Sequence, residues 1–344
     1  MKVAVLTGPG KLEFQEKPIP KALAAEAVVK IEYCGICGSD VHCYRDALLF
    51  PPGTVLGHEI TGVISEAGEK VERFKVGDRV VVRPSAECGQ CFWCQNGEIS
   101  VCPNRRLRAI GQQPGKDGGF AEFVKIEYPD QMLFKLPDHV SLKDAALIEP
   151  MAVSLHAIRS SRLKPGDRVV VIGAGLIGLL VIQFLKLSGA GRIIALEISE
   201  TKAKLAQEMG ANIVLNPLSE KDMKGKIFSL TDGTGGDIVY ECAGVPVALQ
   251  SAIEYVRRRG QILVVGVHEK DVPLSLLKML LWEIEMQAVL GNADEFKYVI
   301  EFLEQGRMNT KHLISDVIPL SALEEKGMKR LLSSPDLVKI LLQP

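Results

Sequence analysis

Asp167-Arg168-Val169-Val170-Val171-Ile172-Gly173-Ala174-Gly175-Leu176-Ile177-Gly178 is the stretch that decides the fold. Val169 to Ile172 read as a fully buried strand, and the glycines at 173, 175 and 178 open an apolar helix that runs to Ser188. A G-x-G-x-x-G alone is weak, because glycine triplets arise by chance. Here it follows a strand, starts a helix, and is followed nineteen residues after Gly178 by Glu197 at the end of the next strand. Each part has a task in dinucleotide binding. Gly173 makes the turn, Gly175 lets the backbone approach a pyrophosphate, and Gly178 lets helix and strand pack closely. The phosphates would rest on the helix N-terminus at Leu176 and Ile177, where unpaired N–H groups favour negative charge. A carboxylate at Glu197 accepts hydrogen bonds from ribose hydroxyls and repels a 2′-phosphate, which predicts NAD as cofactor. Lys202 is the nearest cation.

Outward from this stretch, strands and helices alternate. Arg192 to Glu197, Asp237 to Cys242 and Gln261 to Val267 read as strands, with helices over Thr201 to Met209 and Val247 to Arg258. That rhythm predicts right-handed crossovers and a doubly wound parallel sheet. Val265, Gly266 and Val267, ending a late strand, are expected to face the nicotinamide. Residues 1 to about 130 read differently, as short strands (27–33, 62–67 and 79–84) punctuated by Gly and Pro. The tail from about 291 mixes a helix over Asp294 to Gln305 with a strand over Leu337 to Leu342.

The β-rich part carries two sets of metal-ligand residues. Cys88, Cys91, Cys94 and Cys102 read C-x2-C-x2-C-x7-C, a closed four-thiolate Zn²⁺ site with no position left for substrate. Cys37, His58, Glu59 and Glu149 are spread along the chain. A thiolate, an imidazole and one or two carboxylates can hold Zn²⁺ and leave a position open for chemistry. A Lewis acid there would ease removal of the proton from an alcohol oxygen before its carbon gives up hydride. Ser39 and His42, just beyond Cys37, are candidates to relay that proton. Taken singly, each residue also has a plain structural reading, as a buried thiol, a core or surface histidine, or a helix-start carboxylate.

Composition bounds the alternatives. The 344 residues are 47% hydrophobic and 24% charged, with a net charge of −1, which gives no electrostatic footprint for nucleic acid or an anionic membrane. No apolar run reaches the roughly 20 residues of a membrane span. Met1 to Leu6 meet a Gly-Pro-Gly turn before a signal-peptide core could form. A cytoplasmic enzyme with reduced thiols is therefore expected.

These motifs together resemble the zinc-containing medium-chain dehydrogenases/reductases. The resemblance rests on Gly35-Ile-Cys37-Gly-Ser39-Asp40, Gly57-His58-Glu59, the four-cysteine lobe, Gly118-Gly119-Phe120-Ala-Glu122, Glu149-Pro150 and the glycine fingerprint, and it spans essentially the whole chain. It implies an α/β protein with a GroES-like β-rich catalytic domain over 1–152 and 291–344, a zinc lobe at 86–104, and a Rossmann domain over 153–290. It places the active site in the cleft between them. Glu149-Pro150 makes the chain similar to the sorbitol, 2,3-butanediol and threonine dehydrogenase branch. That branch implies two zinc ions per subunit, the catalytic one held by Cys37, His58 and a carboxylate from Glu59 or Glu149. Cys43 stands where sorbitol dehydrogenases carry Tyr, with Tyr44 one residue on, and their polyol-contacting Arg has no counterpart near Asn292. Both departures weigh against long polyols. The implied activity is NAD-dependent oxidation of a secondary alcohol (vicinal diol, polyol or sugar-derived) to the ketone, by a homodimer or homotetramer. L-threonine or a sugar acid as substrate, and a non-catalytic zinc- and NAD-binding protein, are the competing readings. The Gln261 to Val267 strand and the Leu274 to Trp282 segment are expected to form a sheet across subunits.

Overall fold

The computed structural model describes residues 1–47 and 49–344, and every count below is of those residues. The chain divides into two compact units, Met1–Glu149 with Ala293–Pro344, and Pro150–Asn292.

In chain order the first unit forms strands β1 (Lys2–Gly8), β2 (Lys11–Glu16), β3 (Ala27–Gly35), β4 (Thr54–Val55), β5 (Glu59–Ala67), β6 (Arg79–Val82), β7 (Phe123–Ile126) and β8 (Leu133–Lys135). The second unit supplies β9 (Arg168–Ile172), β10 (Arg192–Leu196), β11 (Ile213–Leu215), β12 (Gly236–Glu241), β13 (Val256–Val264) and β14 (Glu285–Ala288). The chain then returns to the first unit with β15 (Ile314–Pro319) and β16 (Lys339–Gln343).

The second unit is one parallel sheet of order β11-β10-β9-β12-β13-β14. Strand order reverses between β9 and β12, the switch point where open α/β sheets bind ligands. The central strand has no polar face: Val169, Val170 and Val171 are fully buried, because helices cover both sides of a parallel sheet. Asp237 fixes the β9–β12 register. Its Oδ2 accepts the Arg168 backbone N–H at 2.8 Å, and its Oδ1 accepts Arg257 Nε at 2.6 Å.

In the first unit β3 is the hub. It pairs with β5, β7 and β16, in a seven-stranded sheet whose path is β15-β16-β3-β5-β6-β8. Ile31, Ile60, Ile64, Val80 and Val82 form part of the core on this sheet. The pairings Gly35↔Glu59 and Leu341↔Gly35 bring the C-terminal strand and the start of β5 to opposite sides of the same point on β3. That point is where the candidate site lies.

Three expectations need correction. The helix read as extending to Arg258 stops at Tyr255, and Val256 begins β13 instead. The strand read as reaching Val267 ends at Val264, because the N–H groups of Val265 and Gly266 both turn to the Glu241 carbonyl, at 2.8 and 2.9 Å. The segment expected to join a sheet across subunits is a helix, Leu276–Trp282, while the sheet edge is the short β14, whose Glu285-Met-Gln-Ala has no strong strand signature.

Burial alone would raise the Asp237 carboxyl, but the Arg168 N–H and the guanidinium groups of Arg257 and Arg168 outweigh it and hold it low. A depressed carboxyl stabilises the fold above its unfolded pKa, and that contribution is lost as pH falls through the folded value. Asp237→Asn is expected to cost about 1–3 kcal/mol at pH 7, read by urea unfolding. The gap between variant and parent should begin to narrow below about pH 4 and close as pH falls on through the depressed folded value.

Candidate active site and metal centres

Cys37 follows the end of β3 and caps the N-terminus of the helix Gly38–Asp46. Asp40, three residues on, reaches back so that its Oδ2 accepts the Cys37 N–H at 2.9 Å, as in a capping box. Its Oδ1 accepts the Gly57 N–H at 3.3 Å and lies 3.5 Å from His58 Nδ1. One fully buried carboxylate therefore ties the Cys37 turn to the His58 turn. At 3.5 Å this carboxylate faces Nδ1 without closing a hydrogen bond, and its charge favours a proton on Nδ1, which would leave Nε2 for a cation.

Glu59 opens β5 directly after His58. Its carboxylate lies against β3 at Gly35, where an added Cβ would come 1.8 Å from Oε2. Lys339, buried on β16, donates from Nζ to the Ile36 carbonyl at 2.7 Å and to Glu59 Oε1 at 2.8 Å. Burial alone would lower the Lys339 pKa, but Glu59 and Cys37 outweigh it and raise it.

Ligand atoms of Cys37, His58 and Glu59 all lie within 4.8 Å of one another, and the three could hold one ion. The donor set fits Zn²⁺, with one thiolate, one imidazole and one carboxylate. The local field fits as well. Burial alone would lower the His58 pKa, yet Asp40 and Cys37 drive it well above its usual value, so this pocket favours positive charge at the imidazole.

Glu149 stands outside that trio, in the first turn of the helix Ile148–Arg159. Burial, reinforced by the Glu59 charge, pushes its carboxyl up to about 7, against the lowering pull of His58, Lys339 and Arg105. Ser39 and His42 are half-buried on the helix Gly38–Asp46, and a spacing of three places them on one face. Tyr44, weighed as a substrate contact, is buried and donates its hydroxyl to Glu324 Oε1 at 3.0 Å.

The second metal set is more regular. Cys88, Cys91, Cys94 and Cys102 show Sγ–Sγ separations of 4.0 Å (88–94), 3.5 Å (91–94), 3.9 Å (91–102) and 3.6 Å (88–102). Tetrahedral sulfurs about 2.3 Å from a central Zn²⁺ would stand about 3.8 Å apart, far beyond a disulfide. All eight cysteines are free thiols. Hydrogen bonds from the Asn104 side chain and the Gln90 backbone pull Cys88 down to about 5, while burial and its bond with Cys91 push Cys94 up to about 12. Four thiolates cannot share so small a volume without a cation among them.

In the second unit Gly173 makes the turn after β9 and Gly178 packs closely on it. Gly173 has φ +89°, and a Cβ at Gly178 would come 1.9 Å from the Gly173 carbonyl oxygen. Gly175 has open space where a Cβ would point, and it caps the helix Leu176–Leu187. Glu197 is buried, and its carboxylate accepts the N–H groups of Ala174, Ile198 and Ser199 at 2.7, 2.8 and 2.9 Å. Lys202 lies on the next helix, Glu200–Met209, where its backbone N–H caps to Ser199. Sequence reading gave no role to Asp40 or Lys339. The i+3 spacing of Asp40 from Cys37 is the one local signal that could have drawn notice to either.

Comparison with known proteins agrees with this geometry. Residues 24–138 match the alcohol dehydrogenase GroES-like domain and residues 177–305 match the zinc-binding dehydrogenase domain. Sorbitol dehydrogenase of Bacillus subtilis (strain 168) is 34% identical across 100% of this chain and 97% of its own. The crystal structure of 2R,3R-butanediol dehydrogenase from Bacillus subtilis superposes with a TM-score of 0.90 at 34% identity, covering 100% of this chain and 99% of that one. A zinc-binding dehydrogenase from Sinorhizobium meliloti 1021, solved with NADP, gives a TM-score of 0.90 at 29% identity over 100% and 99% of the two chains. The chain belongs to the zinc-containing medium-chain dehydrogenases, oxidoreductases acting on CH–OH donors with zinc and NAD(P).

Asp40→Asn leaves an acceptor for the Cys37 N–H but removes the charge facing His58. It is expected to weaken zinc binding about 10- to 100-fold, read by competition with a chromophoric chelator, with the zinc of the cysteine lobe retained.

Proposed function

We propose that this protein oxidises a secondary alcohol flanked by another hydroxyl, as in a vicinal diol or short polyol, to the ketone and passes the hydride to NAD. The observation that carries the reading is the Cys37–His58–Glu59 cluster, one thiolate, one imidazole and one carboxylate within 4.8 Å. Zinc, when held there, supplies Lewis acidity toward the alcohol oxygen. The chain's own residues do the rest. Asp40 orients the Cys37 turn and the His58 ring. Lys339 braces Glu59 against β3, with Glu149 as the neighbouring carboxylate. Ser39 and His42, sharing a helix face, conduct the released proton. Cys88, Cys91, Cys94 and Cys102 hold a second, structural zinc.

Glu197 supports NAD over NADP. Its charge is fixed by three backbone N–H groups from two turns, so it has little freedom to swing aside for a 2′-phosphate. Two unit charges about 4 Å apart repel by about 4 kcal/mol in a near-surface dielectric.

A second copy of the chain is the partner we assign to the helix Leu276–Trp282. Leu276, Leu277, Leu280 and Leu281 are each more than 60% exposed, and β14 beside them is the edge of its sheet. An open edge and an apolar face of this kind are self-complementary across a two-fold axis. Leu280→Asp should shift the sedimentation profile toward monomer; an unchanged profile at micromolar concentration would exclude this face.

The functional test follows absorbance at the NADH band with a panel of vicinal diols, tetritols, hexitols and L-threonine, using NAD and NADP in parallel. Turnover is expected with NAD on the short diols and is expected to disappear on chelation and return with Zn²⁺. Turnover that persists in fully metal-depleted protein refutes the mechanism.

A further inference from the structure

The first unit holds a buried ionic cluster to which the reaction assigns no role. Arg83, directly after β6, is 4% exposed, and all three of its guanidinium nitrogens are bonded. Nε donates to the Ser85 carbonyl at 3.1 Å, Nη1 donates to the Ala293 carbonyl at 3.0 Å, and Nη2 donates to the Glu87 carboxylate. Arg105 joins from the side, its Nε donating to Ser85 Oγ at 2.6 Å. Burial, and then Arg83 beside it, pull the Arg105 guanidinium down to about 10, while Glu87, Glu149 and Glu295 pull it back up. Two arginines and three glutamates thus act on one another in one region.

The cluster joins parts that are distant in sequence. Glu87 immediately precedes Cys88, and Arg105 follows Cys102 by three residues, with its backbone N–H on the Cys102 carbonyl at 3.0 Å. These two residues are the roots of the four-cysteine lobe. Arg108, three residues on, donates from Nη1 to the Glu87 carbonyl at 2.8 Å. At the other end, Ala293 is where the chain returns to the first unit. Its N–H donates to Glu295 Oε2 at 2.5 Å, and its carbonyl takes Arg83 Nη1. Arg83 therefore holds a lobe root with one nitrogen and the returning chain with another.

A cation in the lobe keeps the two roots together, since the Cys88 and Cys102 sulfurs stand 3.6 Å apart and the metal's binding free energy orders the loop around it. Emptied of its cation, the lobe loses that cross-link and Glu87 can leave the guanidinium. A buried charge deprived of its partner is costly, so Arg83 would have to rearrange and give up the Ala293 carbonyl. We propose that zinc in the cysteine lobe fixes the chain at Ala293, outside its own loop, with Glu87 and Arg83 as the positioning residues that carry the effect. The inference rests on the reading that the four cysteines hold zinc, and it needs no particular substrate or nucleotide.

The experiment follows backbone hydrogen–deuterium exchange in the full zinc-loaded protein and in three variants, with zinc counted by elemental analysis. Cys91→Ser with Cys94→Ser empties the lobe. Glu87→Ala removes the carboxylate and leaves all four sulfurs, and Glu87→Gln keeps an acceptor for Arg83 Nη2. Residues 290–297 are expected to exchange about tenfold faster in the double variant and in Glu87→Ala, the scale of one charge-assisted hydrogen bond lost, with the lobe zinc retained in Glu87→Ala. Glu87→Gln is expected to stay near the parent, and β16 to keep its rate in all three. Should the double variant fail to fold, Glu87→Ala decides alone. Faster exchange confined to residues 86–104 in the double variant would overturn the proposal, as would an unchanged rate at 290–297 in Glu87→Ala. Faster exchange throughout Glu87→Ala, β16 included, would mean a generally loosened fold and would overturn it as well. A double variant with the parent's zinc content would instead sink the zinc reading beneath it.

Discussion

Asp40 and Glu59 are carboxylates with almost no access to water, and each costs several kcal/mol to bury unless positive charge and N–H donors answer it. Much of the first unit is arranged around meeting that requirement. Asp40 is answered by backbone N–H groups from two turns and by the His58 ring. Glu59 is answered by Lys339, which arrives from 280 residues away. The C-terminal strand must therefore return to β3, and the pairing Leu342↔Cys34 shows it doing so at the point where Lys339 can reach. Gly35 completes the constraint, since any side chain there would displace the Glu59 carboxylate.

The parts of this design that are local in sequence could be read before the structure. The glycine fingerprint packs strand, turn and helix within twelve residues, and the four cysteines fall in one loop, so spacing and local context were enough to single them out. The trio of Cys37, His58 and Glu59 was legible as residue types, but its closing carboxylate was not. Glu59 and Glu149 are chemically equal in a list, and only the β3–β5 pairing brings Glu59 into the cluster while Glu149 starts a helix beside it. Lys339 reads as an ordinary strand-end charge until β16 is paired. At Leu276–Trp282 a mostly apolar run holding Lys278 could be strand or helix, and the helix prevailed with four leucines left outside.

The two units solve one problem in the same way. Asp40, Glu197 and Glu241 each accept two or three backbone N–H groups, from two separate turns for Asp40 and Glu197 and from the single turn after β12 for Glu241. An amide could not substitute, because its NH₂ would face donors. A carboxylate presents only acceptors, and several at once. Loops that must meet a ligand are thereby held by rigid strand ends instead of by their own packing.

Glu59 differs from these three in having a cation as its principal partner. Its charge is balanced by Lys339, so it adds little net field at the cluster, and the Cys37 thiolate and the Asp40-oriented imidazole supply most of the pull on a positive ion. A carboxylate neutralised from behind would attract a bound cation less than a bare one. Glu149, whose own ionisation is resisted by burial, stands ready beside it as a second group of the same kind. If Cys37, His58 and Glu59 hold zinc as proposed, one braced and one reluctant carboxylate would leave a position that can open, whereas the four sulfurs of the cysteine lobe, 3.5 to 4.0 Å apart, would leave none.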